Sequence, residues 1–270
     1  MELISIIMGV YNCEKTVSQA IESILDQTYE NWELIICDDC STDNTFIIVD
    51  EFRRRFPEKI TLMQNEHNMR LSYTLNRCLD HSKGYYIARM DGDDISRKDR
   101  LEKQVKYLKE HPGIQLVGTG MQQFNDSGLI QVIEKPEHPD RWTLHTCIPF
   151  NHATIMTYKY IYDSLGGYTV SERTKRGQDY DLWFRFFHSG YSGDNINDPL
   201  YYVREDMNAI KRRTFKMRWE VFQTTRYGFR LLQYPRIWIV GAFFRTLFKS
   251  LTPYKIQYLY RLFQKRSAMK

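Results

Sequence analysis

The chain holds no apolar run long enough to cross a bilayer. The longest charge-free stretch of its C-terminal part, Ile237 to Phe244, falls far short of the about 20 residues a spanning helix needs. The start, MELISIIMGVYN, lacks the basic n-region and cleavage site of a secretory leader, so a cytoplasmic protein is expected. Cysteine is scarce and odd in number: Cys13, Cys37, Cys40, Cys78 and Cys147. Cys37-x-x-Cys40 has no second pair to complete a zinc site, and reduced thiols are the expectation. No G-x-G-x-x-G follows the first apolar run and no G-x-x-x-x-G-K-[ST] occurs, which argues against a dinucleotide fold and a P-loop. Repeats and low-complexity segments are absent.

Acid is what the C-terminal part lacks. Arg204 to Lys270 carries 16 basic and 3 acidic residues, a net of +13, while the rest carries 22 basic and 30 acidic residues, a net of −8. An acidic body with a basic tail predicts two surfaces with two partners. The body suits cations, and the tail suits an anionic surface such as phospholipid. The tail's Ile237, Trp238, Ile239, Val240, Phe243, Phe244, Leu247 and Phe248 fit lipid better than nucleic-acid phosphate alone. It reads as helical from about Glu205, broken at Pro235 and Pro253, with Arg245 and Lys249 one turn apart. A helix lying in the membrane interface is one reading of it, and a helical hairpin packed on the body is the other.

The 270 residues fit one large domain, or one domain with an appendage. Short apolar runs read as strands at Leu3–Val10, Trp32–Cys37, Ile60–Gln64 and Tyr85–Met90. Between them, helical spacing predicts helices over Glu14–Gln27, Thr45–Phe56 and Leu71–His81. Strict alternation with short loops is the pattern of an α/β fold with a parallel sheet. A helix at Leu101–Glu110 and strands at Leu116–Phe124 and Gly128–Ile133 follow. Cys147–Tyr158 reads as a loop entering a strand, Leu165–Tyr168 as a turn, and Gly177–Gly190 as a helix with glycine at each end. Ligands of such sheets bind beyond the carboxyl ends of the strands. Those ends are Tyr11-Asn12, Asp38-Asp39, Asn65 and the stretch Asp91 to Asp94. Three carboxylates within four residues repel one another unless a cation, a donor network or hydration offsets the repulsion.

The stretches SIIMGVYN, AIESILDQTYENWELIICDDCSTDNT, LNRCLDHSKGYYIARMDGDD, RLEKQ, NHATIM, GGY and QDYDLW come in one order from Ser5 to about Trp183. Together they resemble family 2 glycosyltransferases with the GT-A fold, a Rossmann-like α/β fold with a mostly parallel central sheet. The resemblance implies a catalytic domain over 1–204, with a nucleotide-sugar half at 1–100 and an acceptor half at 101–204. A helical, basic, amphipathic extension over 205–270 lies outside it. It further implies a nucleotide-sugar donor, with UDP favoured, bound over the first four strand ends. Gly9, Val10 and Tyr11 would border the base. Asp39 would bind the base ring, Asp38 would order the loop, and Asp91 would lie near the ribose. Asp93, with Asp91, would hold Mn2+ or Mg2+, and Asp179 would be the catalytic base. His152, Gln178, Asp181 and Trp183 would face the acceptor side. Three positions depart from the family pattern: Gly9 replaces the usual proline, Gln178 the usual glutamate, and Arg70 a usual glycine, adding a phosphate contact.

The residues support that chemistry in their own right. Hard divalent cations bridge carboxylate and phosphate oxygens, and so stabilise a departing diphosphate. A carboxylate such as Asp179 can take the proton of an attacking hydroxyl, giving one displacement with inversion. Blander roles stand beside these: Asp39 and Asp43 as turn residues, Asp179 as a helix N-cap, Asp181 as structural, and His152 as a satisfied core residue. Asp94 and Arg97 would order the loop after the metal site. The reaction expected is transfer to a saccharide acceptor, lipid-linked, at the inner membrane face, in cell-surface polysaccharide assembly. The alternatives are a nucleotidyltransferase, whose glycine-rich triphosphate loop is missing, and a non-catalytic saccharide- or membrane-binding module.

Overall fold

A computed structural model describes residues 1–125, 127–205 and 214–252. The basic segment 206–213 and the tail from 253, including the break expected at Pro253, lie outside the described residues. The first half alternates as expected: β1 (Ile4–Val10), α1 (Val17–Leu25), β2 (Trp32–Asp38), α2 (Thr45–Arg55), β3 (Ile60–Gln64), α3 (Arg70–His81) and β4 (Tyr86–Asp91). A two-residue strand β5 (Ile95–Ser96) and helix α4 (Arg100–Glu110) follow. Then come β6 (Leu116–Asn125), β7 (Gly128–Ile133), the short α5 (Thr143–Thr146), β8 (Met156–Tyr158), α6 (Lys159–Leu165), α7 (Gln178–His188), β9 (Gly193–Arg204), α8 (Phe215–Leu231) and α9 (Arg236–Leu251).

The sheet runs β3-β2-β1-β4-β8-β6-β9-β5, with β7 on β6. β1, β2, β3 and β4 pair in parallel, and so do β6 and β9. The short β8 runs antiparallel to β4 and β6, while β7 and β5 are antiparallel to β6 and β9. β5 follows β4 after only three residues yet pairs with the far strand β9, so the sheet must curl back toward its own middle.

Both faces of the central strands are buried, which explains their near-continuous apolar sequences. Ile4, Ile6 and Met8 face one core with α1, α2 and α4 residues such as Ile21, Val49 and Leu101. Ile7, Ile35 and Ile87 face the other, with Leu75 of α3, Trp183 of α7 and Phe229 of α8. In register, Gly9 pairs with both Cys37 and Asp91, and Val10 with Asp38. The carboxyl ends of β1, β2 and β4 therefore share one edge, where the loops after them meet.

The largest difference from the sequence reading is β9, which was not foreseen. Its sequence GDNINDPLYYVR is polar at the start and carries Pro199. The proline sits beside shifts in the β6–β9 register, the kind of irregularity that accommodates it. The tail forms a hairpin turning at Pro235. Thr214 caps α8 by accepting from the Met217 N–H, and α8 packs on α7. Trp238 of α9 stacks on His145 at 3.7 Å. The outer side of α9 stays exposed, with Ile237 at 69%, Phe248 at 73% and Leu251 at 74%. Among the described residues no helix is long and apolar enough to cross a membrane.

Gly228 tests the docking of the hairpin. A Cβ there would lie 2.0 Å from a ring carbon of Phe184, which is fully buried. Gly→Ala gains about 1 kcal/mol in a free helix, whereas overpacking a core costs about 1–3 kcal/mol. Gly228→Ala should therefore lower the unfolding free energy in a denaturant titration. A more stable variant would mean that α8 is not held against α7.

Candidate active site

A cavity of about 490 Å³ opens over the carboxyl ends of the strands, walled by the 9–16 loop, Asp43, Asp91, Gly92, Asp93, Arg204 and Glu205. Asn12 turns the loop with a left-handed backbone (φ 51°), and its side chain accepts from the Thr42 N–H at 2.8 Å. Gly92 lets the loops close up. A Cβ there would meet Val10 at 2.8 Å and the Cys13 sulfur at 3.1 Å. Tyr11 is half exposed at the cavity wall, and Gly9 and Val10 line it.

Carboxylate oxygens of Asp91, Asp93 and Asp94 lie within 4.8 Å of one another. Asp91 is fixed by Arg89, whose two terminal nitrogens donate to its two oxygens at 2.8 and 2.6 Å. Asp93 is exposed to the cavity. Desolvation, and then the charge of Asp91, push its carboxyl above the usual range. Asp94 is buried and pushed well above that range by burial and by both neighbouring aspartates. It also accepts from the Arg204 N–H at 2.9 Å, which ties the loop to β9. Its loop-ordering role is thus seen, but it stands inside the carboxylate cluster rather than apart from it. Crowded acidic oxygens of this kind fit a hard divalent cation, which would relieve their repulsion.

Asp179 sits in the first turn of α7, after Gly177 with φ 81°. One oxygen accepts from the Tyr180 N–H at 2.8 Å, while the N-cap of the helix is Gly177, so Asp179 stands inside the first turn and is not the cap. Its other oxygen has no hydrogen-bond partner among the described residues. Asp179 lines a second, larger groove of about 730 Å³ between α7, α8, α9 and the 145–148 segment. Burial raises its pKa, while Arg89 and Lys135 act the other way. Arg89 therefore reaches both carboxylate sites.

The model of the glycosyl transferase family 2 matches residues 5–166. The chain belongs to that family. EpsE of Bacillus subtilis, a protein named as a glycosyltransferase, is 49% identical over 212 residues, 78% of this chain and 76% of that one. WfaP of Escherichia coli, named a UDP-Glc:alpha-D-GlcNAc-diphosphoundecaprenol beta-1,3-glucosyltransferase, is 28% identical over 80% of this chain and 82% of its own. Among solved structures, residues 1–349 of Staphylococcus aureus TarS with UDP superpose with a TM-score of 0.64 at 20% identity, covering 86% of this chain and 70% of that one. The mannosyltransferase PcManGT of Pyrobaculum calidifontis with GDP-Man and Mn2+ gives 0.67 at 17% identity, covering 88% and 68%. At such identities these structures establish the shared GT-A fold and nothing finer. This chain spans 42% of the longer TarS chain.

Within this family 2 glycosyltransferase the remaining expected site residues divide. Asp39 is buried and turned into the 65–70 loop. One oxygen accepts from the Asn65 side chain and the Met69 N–H, both at 2.7 Å, and the other from the Arg70 N–H at 2.8 Å. That second oxygen keeps one acceptor position. Arg70 is exposed and does not line the cavity. Its φ of 70° puts it where glycine is favoured, so the departure from the family's glycine carries strain. Asp38 orders the loop through Ser41 and Gln64, and Asp43 is a turn residue bonded to Thr45 that also lines the cavity. Arg97 pairs with Asp99 and Asp198, tying the start of α4 to β9.

On the acceptor side, two expectations are corrected. Asp181 is fully buried and its carboxylate is shared by Arg173, Arg185 and Thr169, so it anchors α7 instead of facing a ligand. Trp183 is also fully buried, with its ring edge-on to Phe150 and His152. Helix geometry places Asp181 about 200° round from Asp179, whereas Trp183, one turn on, shares the side of Asp179 and is covered by packing against Phe150 and His152. His152 is partly buried and shares a 2.8 Å hydrogen bond with the Tyr168 hydroxyl. Burial and the charge of Arg89 hold it neutral, well below its usual pKa. Gln178 stays half exposed at the start of α7.

The sequence reading missed Arg89, Lys135 and Arg204. Arg89 did leave a signal: a lone cation inside the apolar run YYIARMD, two residues before Asp91 and therefore on the same strand face. Below it, Arg100 of RLEKQ donates to the Arg89 carbonyl at 3.0 Å, and burial lowers its pKa to about 10. Gln104 donates to the Val117 and Thr154 carbonyls at 3.1 and 2.8 Å. The motif therefore fastens β4, β6 and the 152–154 turn together.

Breaking a buried ion pair costs about 3–5 kcal/mol, and the low end applies here because Asp91 keeps some access to water. Arg89→Met should reduce the unfolding free energy by about 3 kcal/mol in urea titration. An unchanged midpoint would remove Arg89 from the centre of this description.

Proposed function

We propose that this glycosyltransferase moves a sugar from a UDP-sugar to a hydroxyl of a lipid-linked saccharide, with inversion, in the assembly of a cell-surface polysaccharide. The observation that carries the proposal is the pairing of two unlike carboxylate sites around one buried cation. Asp91 and Asp93 crowd oxygens where a metal diphosphate would sit. Asp179 offers to a separate groove an oxygen that has no partner among the described residues. Charge from Arg89 reaches both.

In this reading Tyr11 borders the base, the open acceptor position of Asp39 takes a base N–H, and Asp91 meets the ribose. Mn2+ or Mg2+ on Asp93 and Asp91 would stabilise the charge gathering on the departing diphosphate. The acceptor hydroxyl attacks the anomeric carbon from the opposite face and gives its proton to Asp179. Desolvation makes Asp179 a stronger base than a solvated carboxylate, which suits that task. Neutral His152 can accept or donate a hydrogen bond to the acceptor without adding charge. UDP is favoured because the WfaP relative is named for a UDP-sugar. The same relative's name supports a lipid diphosphate on the acceptor.

Residues 1–204 form the catalytic domain in this proposal, and 205–270 the membrane-associating extension at the inner face of the cell membrane. The support is an exposed apolar side of α9, formed by Ile237, Val240, Phe244, Leu247, Phe248 and Leu251, within a segment of strong positive charge. A run of exposed apolar side chains along one side of a helix suits a partner or a lipid surface.

Asp93→Ala should abolish metal-dependent turnover of the donor. Asp179→Asn should keep UDP binding near that of the parent while transfer falls by at least ~10²-fold. Normal transfer by Asp179→Asn removes the base assignment. The base must be ionised to work, and its raised pKa means that this form is lost as pH falls, earlier than for a free carboxylate. The acid limb of the kcat profile should therefore break above pH ~4. A limb at or below that value contradicts a desolvated base. Deleting 236–270 should release the protein from anionic phosphatidylglycerol vesicles in a sedimentation assay, and unchanged binding would exclude the tail as the anchor.

A further inference from the structure

His152 is satisfied at one ring nitrogen only. Its Nε2 lies 2.8 Å from the Tyr168 hydroxyl, which in turn lies 2.8 Å from the Tyr162 hydroxyl. Tyr168 and Tyr162 are 2% and 3% exposed, and beyond this chain of three groups neither hydroxyl has a partner among the described residues. The Nδ1 of His152 has no partner among them at all, and the residue keeps some accessible surface.

The chain is held from several directions. The Asn76 side chain of α3 accepts from the Tyr168 N–H and donates to the Tyr168 carbonyl, both at 2.8 Å. The segment after the 152–154 turn is tied to β4, where the Arg89 N–H donates to the Ile155 carbonyl at 3.0 Å. The His152 ring stands edge-on to Trp183, with centroids 5.9 Å apart. Trp183 is one turn on from Asp179 along α7 and shares its side. The imidazole thus stands between the strand that carries Asp91 and the helix side that carries Asp179.

A neutral imidazole has one N–H and one bare nitrogen, and its partners decide which is which. His152 is neutral, because burial and the charge of Arg89 oppose its protonation. With Nε2 bare, Tyr162 donates to Tyr168 and Tyr168 donates to Nε2, so both buried O–H groups have acceptors. With the proton on Nε2, that N–H donates to the Tyr168 oxygen. One of the two tyrosine O–H groups then has no acceptor, and a buried donor left unmade is costly. The first arrangement wins, and the proton sits on Nδ1.

We propose that Tyr168 is a positioning residue that fixes His152 with its proton on Nδ1, and that this N–H donates to an oxygen of the saccharide acceptor beside Asp179. The proposal rests on the glycosyl-transfer reading above and makes His152 a donor only. A protonated Nδ1 cannot take the proton of the acceptor. A hydroxyl that receives from Nδ1 keeps its own hydrogen free for Asp179, which stays the one base of the pair.

Long-range proton–nitrogen NMR on the full chain, with isotopically labelled histidine, reads the tautomer. The His152 signals are those missing from His152→Asn. Near neutral pH they should show a protonated Nδ1 and a bare Nε2. Tyr162→Phe leaves the Tyr168 hydroxyl with Nε2 as its one acceptor and should keep that tautomer. Tyr168→Phe removes the group that selects it and should give a mixture. The same Tyr168→Phe should lower kcat/KM for the acceptor by about 10-fold with UDP binding unchanged. Asn places an amide N–H where Nδ1 stood, whereas Gln places one nearer Nε2. His152→Asn should therefore keep about 10-fold more transfer than His152→Gln.

A proton on Nε2, or on both nitrogens, overturns the proposal. So does an unchanged tautomer or full transfer in Tyr168→Phe, and so does equal transfer by the Asn and Gln variants. The NMR readout needs no turnover. Absent UDP binding with the Nδ1 tautomer intact would sink the glycosyl-transfer reading, and the acceptor contact with it, while the tautomer assignment stood.

Discussion

A guanidinium buried at 2% exposure in the middle of a sheet cannot stand alone, and the site is arranged around that fact. Arg89 is held by both oxygens of Asp91, and that pairing fixes the first carboxylate of the Asp91–Asp94 cluster. Burial first, and then this charge that cannot move away, raise the pKa values of the other two aspartates. On the other side, burial and then the same cation keep His152 neutral, and the cation partly offsets the burial that raises the pKa of Asp179. One buried charge thus makes one region suited to a divalent cation and another suited to a base.

The fold supplies the frame in which this balance is possible. Parallel register brings the ends of β1, β2 and β4 to one edge, and the curl of the sheet returns β5 and β9 to that edge. Tyr201 of β9 then receives the Asp91 N–H at 3.1 Å, and the Arg204 backbone is held by Asp94. Arg100 and Gln104 bind backbone carbonyls on three separate segments below the site. The second half of the sheet is therefore locked to the first by buried polar contacts rather than by apolar packing alone. Buried polar networks of this type fix geometry closely, because every unmade bond is costly.

The alternating first half was legible to within a few residues at most boundaries, since each apolar run ends in a turn signal that packing does not override. The family motifs also led to the D-G-D stretch and to Asp179. β9 was hidden because a strand with Asn, Asp and Pro near its start does not look like a strand. Helix α6, KYIYDSL, was too short to show a period. Asp181 and Trp183 stand near Asp179 in sequence, yet a helix turns such neighbours about 200° and 40° around its axis, and tertiary packing covers both. Arg89 was passed over because a strand was read for its apolar residues, although a cation two places before an aspartate shares its face. The tail was read as either interfacial or packed. α8 is packed, while α9 is packed on one side and bare on the other.

The central claim is that a hydroxyl, activated by Asp179, displaces the diphosphate in one step from the opposite face. The configuration of the new bond tests it most directly. It can be read by proton NMR on the product formed from an α-linked UDP-sugar. A single displacement requires a β-linked product. An α-linked product would contradict both the direction of attack and the role given to Asp179.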